Sequence, residues 1–263
     1  DIKRKKTEMI KIILHGCNGH MGRVLTDIIA KDENAEVVAG VDVYTGTPND
    51  YPVFEKMADC NVDADAVIDF SNAAAVDGML DACVEKKLPV VLCTTGLSEE
   101  QLKKVDETAK KIPLLRSANM SLGINTIIDL LKKATQVFAP AGFDIEIVEK
   151  HHNRKLDAPS GTAIALADAI NEAAGNEYHY IYDRSQRREQ RDPKEIGISA
   201  VRGGTIVGDH DVIFAGLDEV ITISHTAYSR SIFANGAVSA AKFLAGKAAG
   251  MYDMADVIRE QTK

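Results

Sequence analysis

The sequence predicts an α/β protein with a Rossmann-like, doubly wound parallel sheet and an inserted α+β domain for substrate binding and oligomerisation. In the first half, short apolar β-rich runs alternate with helical patterns, which is typical of parallel βαβ units. In the second half, short β runs follow one another closely with glycine-containing turns between them, which indicates an antiparallel or mixed sheet.

The first domain is predicted to cover residues 1–121. Residues 1–8 are polar and are interpreted as a disordered or artificially added segment, since they lack the apolar run of a secretory signal. Ser98 followed by Gln101 predicts a capping box at a helix start. The predicted strands cover residues 10–14, 36–41, 66–70, 89–93 and 113–116, and the predicted helices cover 20–30, 73–87 and 98–111.

The second domain is predicted to cover residues 122–232, and residues 233–263 are predicted to form helices that return to the first domain. Asp209-His210 is predicted to be a turn between two short strands. The predicted helices cover residues 122–138, 162–174 and 231–247, and the predicted strands cover 144–151, 196–202, 205–208, 211–214 and 219–227.

Composition narrows the classes of function. The chain has 263 residues, of which 45% are hydrophobic and 27% charged, a mixture typical of soluble globular proteins. Its net charge of -8 disfavours a nucleic-acid partner, because an acidic surface repels phosphate. No apolar run approaches the roughly 18 residues of a membrane-spanning helix. The four cysteines form no CxxC pair, so we expect free thiols in the cytoplasm and no membrane partner.

A glycine-rich loop between the first strand and the first helix predicts a dinucleotide site. Gly16, Gly19 and Gly22 allow a sharp turn, a close approach of phosphate to the backbone and a helix start that faces the anion. Asp42, at the end of the second strand, is positioned to accept hydrogen bonds from ribose hydroxyls. The alternative is that the glycines only form a turn and Asp42 only caps a strand. The agreement of loop, spacing and carboxylate favours the dinucleotide site.

The residues after Asp42 bear on which dinucleotide is bound. Val43 and Tyr44 offer no cation for a 2′-phosphate, so NADH is favoured over NADPH, while Arg23 leaves use of both open. Two loops at strand ends are expected to line the nicotinamide half, although Thr-Thr-Gly is by itself also typical of a turn. These loops contain residues 69–72, with Phe70, and residues 93–96.

Residues 149–162, EKHHNRKLDAPSGT, concentrate cationic and hydroxyl side chains ahead of a helix. Cations and a helix start together predict a receptor for a small anion such as a dicarboxylate. A histidine can deliver a proton near neutral pH. We expect no metal site, because His151 and His152 are adjacent on a strand and point to opposite faces. A solvated charged face and an ordinary helix cap remain the simpler alternatives.

The same run resembles the signature of the dihydrodipicolinate reductase (4-hydroxy-tetrahydrodipicolinate reductase) family. The resemblance covers nearly the whole chain after Met9. It is supported by residues 16–23, 69–70, 94–96, 118–123, 202–204, 208–210 and 233–237.

The resemblance implies particular roles for these positions. His151 matches the acid/base residue and Lys155 a second proton donor. The substrate carboxylates are expected at His152, Ser160, Gly161 and Thr162. The cofactor is expected at Gly16, Cys17, Asn18, Gly19, His20, Met21, Asp42, Phe70, Cys93, Thr94, Thr95, Ala118, Asn119, Met120 and Ser121, although the family typically has glycine where Cys93 stands.

The resemblance also implies an activity and an assembly. The activity is NAD(P)H-dependent reduction of 4-hydroxy-tetrahydrodipicolinate to tetrahydrodipicolinate with loss of water, in diaminopimelate and lysine biosynthesis. The assembly is a homotetramer joined through the second domain. Residues 183–195 depart from the family pattern and are predicted to be an exposed loop rather than a substrate clamp. The rival hypotheses are another two-domain imine reductase and a non-catalytic NAD(H)-sensing module.

Overall fold

The computed structural model describes residues 9–261, which divide into two compact units. Unit one contains the described residues up to Met120 and those from Ser231 onward, and unit two is Ser121–Arg230. The interpretation of residues 1–8 lies outside the described residues. No helix within residues 9–261 is both long and apolar enough to cross a lipid bilayer.

The elements are numbered along the chain. The strands are β1 (Ile10–His15), β2 (Ala35–Val41), β3 (Val53–Phe54), β4 (Ala66–Asp69), β5 (Val90–Leu92), β6 (Pro113–Arg116), β7 (Asp144–His151), β8 (His179–Ile181), β9 (Glu195–Arg202), β10 (Gly208–Ala215), β11 (Val220–Ala227) and β12 (Gly250–Tyr252). The helices are α1 (His20–Ile29), α2 (Ala73–Lys86), α3 (Glu99–Ala109), α4 (Leu122–Phe138), α5 (Gly161–Ala173), α6 (Ser231–Leu244) and α7 (Met254–Gln261).

Unit one is a Rossmann-like sheet of seven parallel strands in the order β12-β6-β5-β4-β1-β2-β3. Its central strands are buried on both faces, which explains their continuous apolar runs. The carboxyl ends of β1, β2, β4 and β5 lie at one edge of the sheet, where open α/β sheets bind ligands. The predicted doubly wound parallel sheet is confirmed.

Unit two is a five-stranded mixed sheet in the order β11-β10-β7-β9-β8. Strand β7 pairs antiparallel with β10 and parallel with β9. Side chains alternate along β7, and Ile145, Ile147, Glu149 and His151 all face the buried side. Helices α4 and α5 supply apolar side chains to the same core. The predicted α+β domain is confirmed, and its central strand carries two polar side chains into the interior.

The structure corrects one prediction in unit two. Residues 205–208 were expected to be a strand and Asp209-His210 a turn. Instead, residues 203–207 form the connection, with Gly204 at a φ of 49°, and β10 runs without interruption through Asp209 and His210. Each residue of β10 pairs with β11 on one side, and Asp209 to Ala215 also pair with β7 on the other. Pairing on both sides therefore overrides the turn tendency of Asp209.

Candidate active site

The side chain of His151 is buried at the end of β7 and is held by a carboxylate. Its Nδ1 donates a hydrogen bond to Oε2 of Glu149 at 2.6 Å. The two residues face the same way because they are two apart on a strand. His151 is 8% exposed and Glu149 is fully buried. Because Nδ1 is engaged, Nε2 is the ring nitrogen that can exchange a proton with a ligand.

Arg202 supplies the charge that balances Glu149. Its guanidinium donates two hydrogen bonds to the Glu149 carboxylate, at 2.8 and 2.7 Å, from the residue of β9 that lies opposite His151. The backbone N–H of Ser160 donates a further hydrogen bond at 3.0 Å. Burial raises the pKa of Glu149, but the hydrogen bonds from Arg202, His151 and Ser160 outweigh burial and hold it below the ordinary value. Glu149 is therefore an anion beside His151 near neutral pH.

A glycine leaves space at the other side of the imidazole. A Cβ at Gly208 would lie 3.0 Å from Nε2 of His151, closer than side chains normally pack. Gly208 begins β10, so the backbone of that strand approaches the ring without a side chain between them. The ring of His210 stands edge-on to that of His151, with centroids 5.2 Å apart.

Ser160 caps helix α5 and links it to His210. Its Oγ accepts a hydrogen bond from the N–H of Ala163 at 3.1 Å and lies 3.0 Å from Nε2 of His210. Burial, followed by the nearby charge of His151, lowers the pKa of His210 to about 4, so His210 is neutral near pH 7. When neutral His210 donates to Oγ, the hydroxyl proton of Ser160 is available to an anion. Gly161 and Thr162 form the first turn of the helix, whose N–H groups favour an anion.

The loop between β7 and α5 gathers positive charge. Lys155 is largely buried, and its ammonium pairs with Asp157 at 2.8 Å. Burial and the charges of Arg154 and Arg230 lower the pKa of His152. The structure thus places Lys155 in an ion pair within the loop, and it surrounds His152 with cations that would attract a carboxylate.

In unit one, the glycine loop packs too closely for side chains. Gly16 has a φ of 83°, and a Cβ on it would lie 2.6 Å from the carbonyl oxygen of Phe70. A Cβ on Gly22 would collide with the carbonyl oxygens of Gly16 and Cys17. These glycines therefore form a backbone cradle at the start of α1, as a pyrophosphate requires.

Asp42 directly follows β2 and lies beside the glycine loop. Its Oδ2 accepts from the N–H of Asn18 at 2.9 Å and its Oδ1 from that of Tyr44 at 3.1 Å. Each oxygen keeps a second lone pair for a further donor. A cleft of about 260 Å³ runs past Asp42 and is lined also by His15, Gly16, Gly19 and Phe70.

The other residues of unit one that are predicted to bind the cofactor differ in how far they are exposed to solvent. The thiol of Cys17 is buried against Gly40, so this residue offers its backbone rather than its side chain to a ligand. Met120 is also buried, and Thr94 accepts a hydrogen bond from the N–H of Ser71 at 3.1 Å. Partly or fully exposed positions are those of Asn18, His20, Met21, Cys93, Thr95, Ala118 and Asn119.

Ser121 belongs to unit two, where its hydroxyl accepts from the N–H of Ile124 at 3.3 Å and caps α4. Sequence reasoning assigned no role to Glu149, Arg202 or His210. The signal for Glu149 was its spacing of two from His151 on a strand. Within residues 9–261, no group of three histidine, cysteine, aspartate or glutamate side chains is arranged to hold a metal ion.

Comparison with known proteins shows which protein family this chain matches. The model for "Dihydrodipicolinate reductase, N-terminus" matches residues 10–120, and that for "Dihydrodipicolinate reductase, C-terminus" matches residues 123–258. The chain is 55% identical over 252 residues to 4-hydroxy-tetrahydrodipicolinate reductase of Caldanaerobacter subterraneus subsp. tengcongensis, covering 96% of this chain and 99% of that protein. It is 51% identical over 246 residues to the enzyme of the same name from Clostridium tetani, covering 94% and 96%.

Solved structures share the fold. The dipicolinate-bound dihydrodipicolinate reductase from Paenisporosarcina sp. TG-14 aligns with a TM-score of 0.78 at 24% identity, covering 93% of this chain and 97% of that one. A myo-inositol dehydrogenase from Lactobacillus casei, in complex with NAD(H) and myo-inositol, aligns with a TM-score of 0.56 at 15% identity, covering 95% and 90%.

Proposed function

The chain belongs to the dihydrodipicolinate reductase family, and we propose which of its residues carry out the reaction of that family. The enzyme reduces 4-hydroxy-tetrahydrodipicolinate to tetrahydrodipicolinate with loss of water, a step of diaminopimelate and lysine biosynthesis. The reaction consumes one hydride and one proton, so the protein must hold a nicotinamide dinucleotide and an acid. The observation that carries the assignment of the acid is the buried pair of Glu149 and His151.

His151 is the proposed proton donor. Its Nδ1–H is fixed on Glu149, so the proton that it gives to the substrate ring leaves from Nε2. The Glu149 carboxylate stabilises the imidazolium before the transfer and keeps the ring in one orientation. Arg202 keeps Glu149 ionised, so that the proton is held by His151 and not by the carboxylate.

The substrate carboxylates are proposed to bind at the start of α5. Ser160, Gly161 and Thr162 offer N–H and hydroxyl groups there, and the helix start favours a negative charge. His152 and Lys155 extend the positive surface in the preceding loop. Lys155 can exchange Asp157 for a substrate carboxylate, since both partners are carboxylates, and it then holds the substrate or assists proton delivery.

The glycine cradle and Asp42 fit the diphosphate and ribose of a nicotinamide dinucleotide. When bound, the reduced nicotinamide supplies the hydride. We propose that NADH is favoured over NADPH, because a 2′-phosphate would place further negative charge beside Asp42. The remaining proposed cofactor contacts are Asn18, His20, Met21, Phe70, Cys93, Thr94, Thr95, Ala118, Asn119, Met120, Ser121 and the backbone of Cys17.

We also propose that the enzyme is a homotetramer joined through unit two and that it works in the cytoplasm. Light scattering coupled to size exclusion measures the mass, and a monomer at assay concentration would reject the tetramer.

Comparison of kcat/KM for NADH and NADPH tests the dinucleotide preference. A strong preference for NADPH would reject the proposed role of Asp42 in excluding it.

The activity is tested with the cyclic substrate made enzymatically from pyruvate and aspartate semialdehyde. We expect NADH absorbance to fall when substrate is added to the enzyme, and tetrahydrodipicolinate to accumulate in equal amount. Binding of NADH without its oxidation would contradict the proposal and favour a non-catalytic NAD(H)-binding module.

A further inference from the structure

A second buried histidine–carboxylate pair lies in unit one. His15 is the last residue of β1, and it lies opposite Asp69, the last residue of β4, in the parallel register. Nδ1 of His15 donates to Oδ1 of Asp69 at 2.6 Å. His15 is 7% exposed and Asp69 is fully buried. Neither residue has a part in the proton chemistry proposed above for unit two.

The carboxylate of Asp69 is incompletely neutralised. The hydroxyl of Ser71 donates to Oδ1 at 2.6 Å, but Oδ2 is buried without a hydrogen-bond partner among the described residues. Within residues 9–261, His15 is the basic side chain within ion-pair distance of Asp69. The charge state of His15 therefore decides whether the pair is neutral or carries one negative charge.

The pair borders the proposed dinucleotide site. His15 lines the cleft together with Gly16 and Gly19 of the backbone cradle. The charged side chains that line the same cleft, Asp42 and Glu55, are both acidic.

The cysteine thiols near Asp69 and Asp42 cannot supply the positive charge that a protonated His15 supplies. Burial, followed by the charge of Asp69, raises the pKa of the Cys93 thiol, and burial with the charge of Asp42 raises the pKa of Cys17 to about 11, so both thiols stay neutral. His20 and Arg23 of α1 are exposed to solvent, and Lys242 of α6 is paired with Asp32.

We propose that the His15–Asp69 pair takes up a proton when the dinucleotide binds, so that a neutral ion pair and not an uncompensated carboxylate lies behind the pyrophosphate site. A pyrophosphate near an uncompensated buried carboxylate is repelled, and the low polarity of the surroundings strengthens this repulsion. Protonation of His15 removes it. By linkage, an anion that binds the protonated form more tightly must raise the fraction of protein in that form.

The proposal rests on the proposed dinucleotide site, and it makes binding of the dinucleotide depend on pH. A histidine changes charge between about pH 5 and pH 8. Binding takes up protons at any pH at which the pair is more fully protonated with the dinucleotide bound than without it. The affinity for NADH therefore falls as the pH rises through this range.

Calorimetry of NADH binding to the intact enzyme, without substrate, measures the proton directly. Binding enthalpies at one pH, in buffers of different ionisation enthalpy, give the number of protons taken up. We expect proton uptake at pH 8. His15→Asn retains a donor at the position of Nδ1 but cannot be charged, so this uptake should disappear. His179→Asn removes an exposed histidine of unit two and should leave the uptake unchanged.

Two further measurements make the experiment decisive. ADP-ribose has the same pyrophosphate without the nicotinamide and should cause the same uptake. In the unsubstituted enzyme, the nitrogen chemical shifts of isotope-labelled His15 should move toward imidazolium values when NADH is added at pH 8, which tests the proposal even if His15→Asn does not fold.

Equal proton uptake by the wild type and His15→Asn, or unchanged His15 shifts, overturns the proposal. An enzyme that binds no NADH rejects the dinucleotide site itself, whereas binding without uptake rejects only the proton linkage.

Discussion

Glu149 and His151 are two residues apart on β7, and this spacing turns both side chains to the buried face of the strand. A polar pair in that position needs complete hydrogen bonding to be stable. Arg202 and the N–H of Ser160 complete the set around Glu149. Through Glu149, these hydrogen bonds also fix the orientation of the His151 imidazole, so the same contacts stabilise this part of the core and direct Nε2.

His151→Gln tests the proposed acid. Glutamine cannot deliver a proton near neutral pH, so we expect kcat to fall by about 10²–10⁴-fold with little change in the Kd for NADH. Steady-state kinetics and a separate binding titration measure the two quantities. His179→Gln, which removes an exposed histidine of the same unit, is the matched control and should retain full turnover. Full turnover in His151→Gln would remove His151 from the mechanism.

Glu149→Gln should change how stability depends on pH. The pKa of Glu149 lies below its ordinary value of 4.5 in the folded state, so its carboxylate stabilises the fold above that pH. This stabilisation is lost as the pH falls through the lowered pKa. The variant should therefore melt several degrees below the wild type at pH 7, with the difference shrinking toward pH 3. Circular dichroism melts at a series of pH values measure it, and a constant difference would contradict the linkage.

At the scale of elements, the backbone of the glycine loop packs directly against the start of helix α1. Gly22→Ala places a Cβ against the carbonyl oxygens of Gly16 and Cys17 and should displace the loop. We expect a lower melting temperature and NADH binding weaker by roughly 10-fold or more, which corresponds to at least about 1.4 kcal/mol. Gly78→Ala is the matched control, because a Cβ there meets open space within α2, and it should raise stability by about 0.5–1 kcal/mol. Equal NADH affinity in Gly22→Ala and wild type would show that the cradle tolerates a side chain.

The segment of residues 183–195 is mostly exposed, as the sequence predicts, but three of its arginines fold back onto the sheet. Arg184 donates two hydrogen bonds to Glu146, at 2.9 and 2.8 Å, and pairs with Glu195. Arg187 also pairs with Glu195, and Arg191 reaches Glu146 and a main-chain carbonyl of β7. The segment is therefore fastened to strands β7 and β9, which its charge pattern alone did not reveal.

Arg191→Ala should destabilise unit two without affecting the proposed proton donor. Several carboxylate and carbonyl oxygens lose their donor, so we expect the free energy of unfolding to fall by about 1–3 kcal/mol. Urea unfolding measures this change. Arg188→Ala, in the same segment but exposed, should stay within about 0.5 kcal/mol of the wild type. Equal effects of the two substitutions would show that the ion pairs of Arg191 add nothing to stability.

For the whole molecule, the sequence predicted both sheets. It missed β3, β8 and β12, because strands of two or three residues are too short to display a period. It also missed the contacts of Arg202 with Glu149, which are 53 residues apart in the chain. That contact depends on the register of β9 against β7, and no local pattern encodes register between strands separated by a helix.

Unit one is assembled from two distant parts of the chain. Helix α6 packs against α1, β4 and β5, and β12 adds the edge strand next to β6. On the ribosome, unit two is a continuous stretch that can fold as soon as it has emerged. The part of unit one that precedes unit two must wait, with an uncovered helix face and an unpaired sheet edge, until the residues that follow unit two have been made. Chaperone capture of nascent chains should therefore be directed at the segment of unit one that precedes unit two.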